Sequence, residues 1–268
     1  MGEVDRPGIR RLRTYGELGN RFDALFDDVE RLSAIEAAAL DAVLKLHDVH
    51  TVLDCACGTG IQAIGLAQIG YEVVASDISS RMIAVLTEKA EARGLRIPTR
   101  RQDFRSLQPW RGLSIDAVIC CGESLPLVPT RDDVHRALAR MVAVASATGG
   151  LVIVGIRNYA MLGATGQEFY LHRPYRRESG LVAFDARIFR GDTVDVVQTI
   201  GELHGTRWQF TSVAARHLCL TPFQLRDAML QAGCVDVELR DANGISDPAQ
   251  AEWVMAVGQT PRRRGSRN

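Results

Sequence analysis

The sequence has no excess of either charge and no long hydrophobic run. Its 268 residues contain 32 lysines and arginines and 32 aspartates and glutamates, so the formal net charge is zero. A chain without net charge has no overall field that would attract a polyanion, which weighs against a nucleic-acid partner. No apolar stretch approaches the roughly 20 residues that cross a bilayer, and the first residues lack an apolar signal region. We therefore expect a cytoplasmic protein that binds neither nucleic acid nor membrane.

The six cysteines lack the spacing of a metal site. One residue separates Cys55 from Cys57, and Cys120 and Cys121 are adjacent, whereas a zinc knuckle has two intervening residues. Both pairs lie in or beside apolar stretches, where cysteine packs as a small hydrophobic residue. We predict no metal, and in a cytosolic chain no disulfide.

Short β-branched stretches alternate with helical ones from residue 35 onward. This alternation is typical of a parallel sheet with helices on both faces. The seven predicted strands are 51–55, 72–76, 97–102, 115–121, 151–156, 234–240 and 252–258. The sequence therefore predicts an α/β fold with one seven-stranded, mostly parallel sheet.

The rhythm changes after residue 156. Residues 181–189, 193–203 and 207–220 read as consecutive strands joined by short turns, which predicts an antiparallel β-meander. Thr221 then serves as N-cap and Pro222 as the first residue of a helix that ends at Gly233. The meander belongs to an insertion that would lie over the carboxyl ends of the parallel strands.

These elements divide the chain into four predicted parts. Residues 1–45 form an N-terminal helical segment, with a helix from about residue 33 to residue 46. The core comprises residues 46–159 and 220–260, and residues 160–219 form the inserted lid and substrate subdomain. Residues 261–268 form a disordered basic tail.

A glycine-rich turn, Gly58-Thr59-Gly60, follows the first core strand. Such a turn lets a ligand approach the backbone and points helix N-terminal amides at it. The pattern also fits a dinucleotide site, with Asp77 about 20 residues further on. Asp54 separates the two interpretations, because a carboxylate there would repel a pyrophosphate but would attract the sulfonium and ammonium of S-adenosylmethionine (SAM). The loop therefore favours SAM over NAD.

Two further acids follow the second and third core strands. Asp77 is placed to accept hydrogen bonds from both ribose hydroxyls, and Asp103 lies where an adenine amino group would be read. Each has a structural alternative: Asp77 as the N-cap of the helix at Ser80, and Asp103 as a loop cap. Together with Asp54 they place three acids at the ends of three neighbouring strands.

Through residues 52–60, 74–77 with 80–82, and 102–103, the sequence resembles the class I SAM-dependent methyltransferases. The resemblance spans roughly residues 20–160 and implies a Rossmann-like fold with SAM as cofactor. The residues assigned to the cofactor are Arg31, Asp54, Ala56, Gly58, Gly60, Asp77, Ile78, Met82, Asp103, Phe104 and Cys121.

Within that superfamily the chain is most similar to the glycine and sarcosine N-methyltransferases. Residues 53–60, 119–127 and 157–159 carry this similarity. In that family the arginine of the third segment holds the carboxylate of the amino-acid substrate, which implies the same role for Arg157. Its alternative is an ion pair with an internal acid. Arg31 matches the N-terminal arginine that holds the methionine carboxylate of SAM.

Two residues depart from the family pattern. Glu123 stands where the family has asparagine, and Leu127 stands where it has histidine. A glutamate near the transferring methyl could bind a cationic group or accept the proton of an amine, or it could brace an arginine. We predict that Glu123 and Tyr159 are catalytic and that Arg157 and Glu123 bind substrate.

The sequence thus predicts an N-methyltransferase for an amino acid or related metabolite that carries a carboxylate, in a possible homo-oligomer. The alternatives are an O-methyltransferase of a small natural product, an RNA methyltransferase, an NAD-dependent oxidoreductase and a non-catalytic SAM-binding protein. Several aromatic and histidine side chains of the insertion are further candidates that the sequence does not rank. They are Phe169, Tyr170, His172, Tyr175 and His217.

Overall fold

The structure is a computed structural model. It describes residues 8–12, 14–145, 149–159, 167–176, 180–242 and 247–261, and in 8–12 and 167–176 it describes the backbone alone. All but the first residue of the predicted basic tail lies outside the described residues.

The α-helices of the described chain are α1 Val29–Leu44, α2 Ile61–Gln68, α3 Ser80–Glu91, α4 Arg131–Ala145 and α5 Pro222–Gln231. The strands are β1 Gly8–Leu12, β2 Thr51–Asp54, β3 Glu72–Asp77, β4 Thr99–Arg101, β5 Ala117–Cys120, β6 Leu151–Arg157, β7 Gln167–Arg176, β8 Leu181–Arg190, β9 Thr193–His204, β10 Arg207–Leu218, β11 Asp236–Asp241 and β12 Trp253–Gln259. None of the described helices is long and apolar enough to cross a membrane.

The core sheet has seven strands in the order β11-β12-β6-β5-β2-β3-β4. β2, β3, β4, β5 and β6 pair in parallel, and β12 runs antiparallel to both β6 and β11. Every residue of β2 and β5 is buried, because helices cover both faces of the sheet. The predicted seven-stranded, mostly parallel α/β fold is confirmed.

A second sheet, here called the lid sheet, has the strand order β1-β10-β9-β8-β7. Strands β8, β9 and β10 form the predicted antiparallel meander. The sequence missed β7 and β1, and β1 pairs in parallel with β10. The N-terminal segment predicted as helical is therefore partly a strand. Its five residues are too few to show a period, and only pairing with a distant strand makes them extended.

Residues 14–25 connect the two sheets. Leu18 and Leu25 are buried against Ala183 and Ile200 of the lid sheet. On the other side, the Arg81 guanidinium of α3 donates to the carbonyl of Glu17 at 3.0 Å. The N-terminal segment thus packs between the lid sheet and the helix that follows β3.

Local signals explain where the helices begin. Asp28 caps α1 by accepting from the Arg31 amide at 2.9 Å, so α1 begins four residues before the predicted start. Thr221 caps α5 and Pro222 is its first residue, as predicted.

Candidate functional site

Asp54 ends β2 with a carboxylate that is almost fully buried. Its Oδ1 accepts from the Ala56 amide at 3.3 Å, whereas no hydrogen-bond donor of the described residues reaches Oδ2. Burial, reinforced by the charge of Asp77, raises the pKa of Asp54 to about 7. A buried carboxylate oxygen with no partner is suited to bind a cation.

Two glycines shape the loop after Asp54. Gly58 and Gly60 have positive φ angles of 50° and 94°. At Gly60 a Cβ would also lie 2.9 Å from the Leu86 side chain and 3.0 Å from Ile64, so the loop packs directly on helices α2 and α3. At Gly58 a Cβ would meet nothing within 4 Å, which leaves the backbone open to a ligand.

The N-terminal segment holds this loop from outside. The Thr59 hydroxyl donates to Asp23 Oδ1 at 2.6 Å, and Lys89 of α3 pairs with Asp23 Oδ2 at 2.9 Å. This contact was not predictable from the sequence, because Asp23 lies 36 residues before Thr59.

Asp77 ends β3 beside the loop. Its Oδ2 accepts from the Gly58 amide at 2.9 Å and its Oδ1 from the Ser79 amide at 2.8 Å. Burial raises its pKa. The N-cap of α3 is Ser79, so Asp77 is not the helix cap of the structural alternative. Its place between the loop and Ser79 fits the predicted ribose contact.

Ile78 and Met82 follow Asp77 in the chain and differ in exposure. Ile78 is 59% exposed, whereas the Met82 side chain on α3 is buried. Because Ile78 directly follows Asp77 and is exposed, it offers an apolar surface against which a planar ring could pack.

Asp103 follows β4 and is already engaged. Its carboxylate caps the next turn by accepting from the Arg105 amide at 2.8 Å, and it binds the Arg105 guanidinium at 2.6 Å. This bond lowers the pKa of Asp103. The loop-cap alternative is thus present in the structure, and a role in reading adenine stays a prediction. Phe104 is partly buried against the core.

Helix α1 brings different residues to the loop than the predicted Arg31. Arg31 is exposed, and at 100° per residue it lies on the side of α1 opposite Ser33. The Ser33 hydroxyl donates to the Ile61 carbonyl at 2.6 Å. Glu36, one turn later, bonds Gln62 and lies near Cys121, and its burial raises its pKa. Ser33 and Glu36 were missed because their helix reads as a plain amphipathic segment.

A group of polar side chains lies beneath the lid sheet, beside the turn that follows β5. We call Tyr15, Glu123, Arg157, Tyr159 and His217 the polar cluster. The Tyr159 hydroxyl donates to Glu123 Oε1 at 2.6 Å. Glu123 has a φ of 64°, next to Gly122 at 66°, so the turn presents its carboxylate from a left-handed backbone. The structure thus brings the two predicted catalytic residues together.

His217 links the polar cluster to the N-terminal segment. Its Nδ1 lies 3.3 Å from the Tyr159 hydroxyl and its Nε2 lies 3.3 Å from the Tyr15 hydroxyl. Burial lowers the pKa of His217, which favours the neutral ring. Since Tyr159 donates to Glu123, it accepts from Nδ1–H, and Nε2 accepts from Tyr15. Of the five unranked lid residues, only His217 has a described side chain.

Arg157 ends β6 and is held by acids of this chain. Its Nε lies 3.5 Å from Glu123 Oε2, and its Nη1 pairs with Glu252. The guanidinium also lies 4.3 Å from the centre of the Trp253 ring. The internal ion pair, the alternative to carboxylate binding, is thus present in the structure.

The cysteines near these sites are buried thiols. Cys121 is buried beside Gly155, and its pKa is raised by burial. Burial likewise raises the pKa of Cys55 and Cys57. Protonated, enclosed thiols of this kind act as packing residues.

Comparison with known proteins shows what the chain is similar to. A family model described as a methyltransferase domain matches residues 52–149, from the start of β2 to the turn before β6. A solved S-adenosylmethionine-dependent methyltransferase from Clostridium acetobutylicum ATCC 824 superposes with a TM-score of 0.74 at 16% identity, covering 92% of this chain and 99% of that one. Residues 52–149 thus match a methyltransferase domain, the fold is that of the class I methyltransferases, and these similarities support SAM as the cofactor.

Among curated proteins, the chain is similar to glycine and sarcosine N-methyltransferases. The chain is 36% identical over 143 residues to the glycine/sarcosine N-methyltransferase of Parasynechococcus marenigrum (strain WH8102), covering 53% of this chain and 50% of that protein. It is 30% identical over 175 residues to the glycine N-methyltransferase of Rattus norvegicus, covering 61% and 59%. The chain therefore matches only about half the length of these relatives. The predicted resemblance to the glycine and sarcosine N-methyltransferases is confirmed.

Proposed function

We propose that the protein transfers the methyl group of SAM to the amine of an amino acid or related small metabolite. Asp54 carries the proposal, since its buried Oδ2 has no hydrogen-bond partner among the described residues. An ammonium group at this point would satisfy that oxygen and restore the charge balance of the loop. The match to curated N-methyltransferases supports the same cofactor and an amine acceptor.

SAM supplies a methyl group made electrophilic by its sulfonium. The residues of the chain therefore need to hold the acceptor in line, exclude water and remove a proton. An amine that arrives as ammonium gives one proton to the Glu123 carboxylate. Its nitrogen then bonds the methyl carbon as the carbon–sulfur bond breaks and sulfur keeps the electron pair. The proton leaves Glu123 for solvent with the product.

Tyr159 and His217 support Glu123 in this role as positioning residues. The chain of donors from Tyr15 through His217 and Tyr159 ends on Glu123 Oε1. Because every group in this chain of donors donates toward Glu123, its carboxylate acts only as a hydrogen-bond acceptor. A group that takes a proton from an amine must be an acceptor of this kind. The lid sheet covers this place through His217 of β10.

Titration of the purified protein with SAM and with NADH tests the cofactor. We expect micromolar binding of SAM and none of NADH, because Asp54 repels a pyrophosphate. Binding of NADH without SAM would overturn the proposal in favour of an oxidoreductase.

Transfer of labelled methyl from SAM to a panel of amines and alcohols tests the reaction. Glu123→Gln should lower kcat by roughly 100-fold, the usual size of a lost proton acceptor, and should leave SAM affinity unchanged. Methyl transfer only to hydroxyl oxygen would show that the protein is an O-methyltransferase and would overturn the proposed amine acceptor. SAM binding without transfer to any acceptor would favour a protein that only senses SAM.

A further inference from the structure

The surroundings of Arg157 bear on the chemical class of the acceptor. A guanidinium can bind a carboxylate through two nitrogens along either of two edges, one formed by both Nη atoms and the other by Nε and one Nη. Nη1 pairs with Glu252, and Nε lies 3.5 Å from Glu123 Oε2 in an ion pair without a hydrogen bond to any described residue. Each edge therefore has one nitrogen in an ion pair with an acid of the chain.

The face of the guanidinium is also covered. The Trp253 ring lies 4.3 Å from the guanidinium carbon, a distance typical of a cation–π contact. Only 12% of the Arg157 side chain is exposed. A substrate carboxylate would have to displace Glu123 or Glu252 to reach two nitrogens.

The charges nearby disfavour an anion. Besides Arg157, the buried Arg187 acts electrostatically on Tyr159 and His217, but it pairs with Asp185 at 3.0 Å. Among the described side chains, Glu123, Glu252 and Asp185 lie against these two guanidinium groups. A carboxylate placed beside Glu123 would meet its negative charge, whereas an ammonium group there would be attracted.

The backbone at Glu123 gives independent support. Its φ of 64° is a conformation that asparagine adopts several-fold more readily than most residues. Nothing in the local backbone requires glutamate, so the feature that distinguishes Glu123 here is its charge.

We propose that the acceptor is a small amine with no carboxylate beside the amine group, such as an amino sugar or an amino-acid amide. This inference rests on the proposed function and narrows it. In it, Glu123 binds the ammonium and Arg157 holds Glu123 in place. It replaces the sequence-based expectation of a substrate carboxylate bound by Arg157.

A binding experiment tests the state of Arg157 without turnover. Glycine and sarcosine are titrated into the protein saturated with S-adenosylhomocysteine, for the wild type, Glu123→Asn and Glu252→Gln. Glu123→Asn should bind both amino acids at least tenfold more tightly than the wild type, because it removes the carboxylate that lies 3.5 Å from Nε and its negative charge. Glu252→Gln should change binding less, because the Glu252 side chain is 54% exposed.

Two results would overturn the proposal: wild-type binding of glycine as tight as that of Glu123→Asn, or no gain in the variant. Thermal melting confirms that Glu123→Asn is folded. Glu123→Gln provides the same charge change if it is not.

Matched acceptors test the same point in catalysis. We expect glycinamide, alaninamide and glucosamine to be methylated with kcat/KM at least tenfold above glycine and alanine. A preference for the acids would overturn the inference yet leave the proposed function intact. Failure to bind SAM would count against the proposed function alone, and the amino-acid titration would then be done without S-adenosylhomocysteine.

Discussion

The loop that follows β2 and the polar cluster beneath the lid sheet differ in how far apart their residues lie in the chain. Gly58 and Asp77 are 19 residues apart and belong to consecutive strand ends of one sheet. Tyr15 and His217 are 202 residues apart and meet only because the lid sheet folds over the core. A parallel sheet thus brings Gly58 and Asp77 together from nearby sequence, whereas the polar cluster needs contacts between separate layers.

The two places also differ in how their charges are satisfied. Asp54 keeps a buried oxygen without a hydrogen-bond partner in the described chain, whereas Arg157 is bound by two acids. A buried carboxylate is thus left for a ligand at the loop, whereas the guanidinium of the polar cluster already forms ion pairs with acids of the chain. Variants at the loop should change SAM binding strongly, and variants of the cluster should leave it nearly unchanged.

The largest expected effect is that of Asp54→Asn. SAM affinity should fall roughly 30- to 150-fold, because a hydrogen bond to a charged group contributes about 2–3 kcal/mol. Isothermal titration calorimetry measures the dissociation constant of SAM. Asp48→Asn is the matched control, because Asp48 is exposed and its φ of 54° suits asparagine. If Asp54→Asn leaves the dissociation constant of SAM unchanged, the proposed difference in charge between the loop and the polar cluster is wrong.

The pH dependence of SAM binding should come from the same carboxylate. With a pKa of about 7 in the free protein, Asp54 is protonated below that pH and must lose its proton to pair with a cation. Affinity should therefore fall by up to about tenfold per pH unit below 7 and level off above it. Titrations from pH 5.5 to 8.5, at about half-unit steps, would show this. A flat profile in the wild type, or a slope that persists in Asp54→Asn, would contradict it.

Gly60→Ala should cost about 2–3 kcal/mol of folding stability. The substitution combines a φ of 94° with a Cβ 2.9 Å from Leu86. Gly112→Ala separates these causes, since Gly112 has a φ of 75° but nothing within 4 Å of its Cβ. It should lose only about 1 kcal/mol, the cost of the backbone conformation alone. Chemical denaturation measures both, and equal losses would mean that packing at Gly60 adds nothing.

Tyr15→Phe should have the smallest effect. It removes the hydrogen bond to His217 Nε2 and should lower stability by about 1 kcal/mol, with SAM affinity unchanged. Denaturation and titration of one preparation give both values. A loss of SAM affinity would show that the polar cluster and the loop are coupled through the N-terminal segment. It would contradict the expectation that variants of the polar cluster leave SAM binding nearly unchanged.

Much of the arrangement at the proposed cofactor site was predictable from the sequence. Asp54, the two glycines and Asp77 are recognisable because parallel strands place successive strand ends at one edge of the sheet. Asp103 shows the limit of that argument. Its position was predictable, but its bond to Arg105 depends on a rotamer that residue spacing does not define.

At the proposed acceptor site, the sequence predicted individual residues but not how they contact one another. Glu123, Arg157 and Tyr159 were each singled out, but their mutual contacts and the part played by Tyr15 and His217 were not. Arg31 illustrates the same gap. A motif match assigned it to the cofactor, whereas the rotation of α1 presents Ser33 and Glu36 to the loop instead.

The sequence by itself determined the α/β class, the seven strands of the core sheet and the acidic glycine loop, because strand periodicity and glycine backbone freedom act over a few residues. Tertiary structure alone decided that β1 joins the lid sheet and that Asp23 bonds Thr59. It also decided that Arg157 is paired with acids of its own chain. The physical reason is that ion pairs and sheet edges join residues far apart in sequence, and only the packing of whole layers brings such residues together.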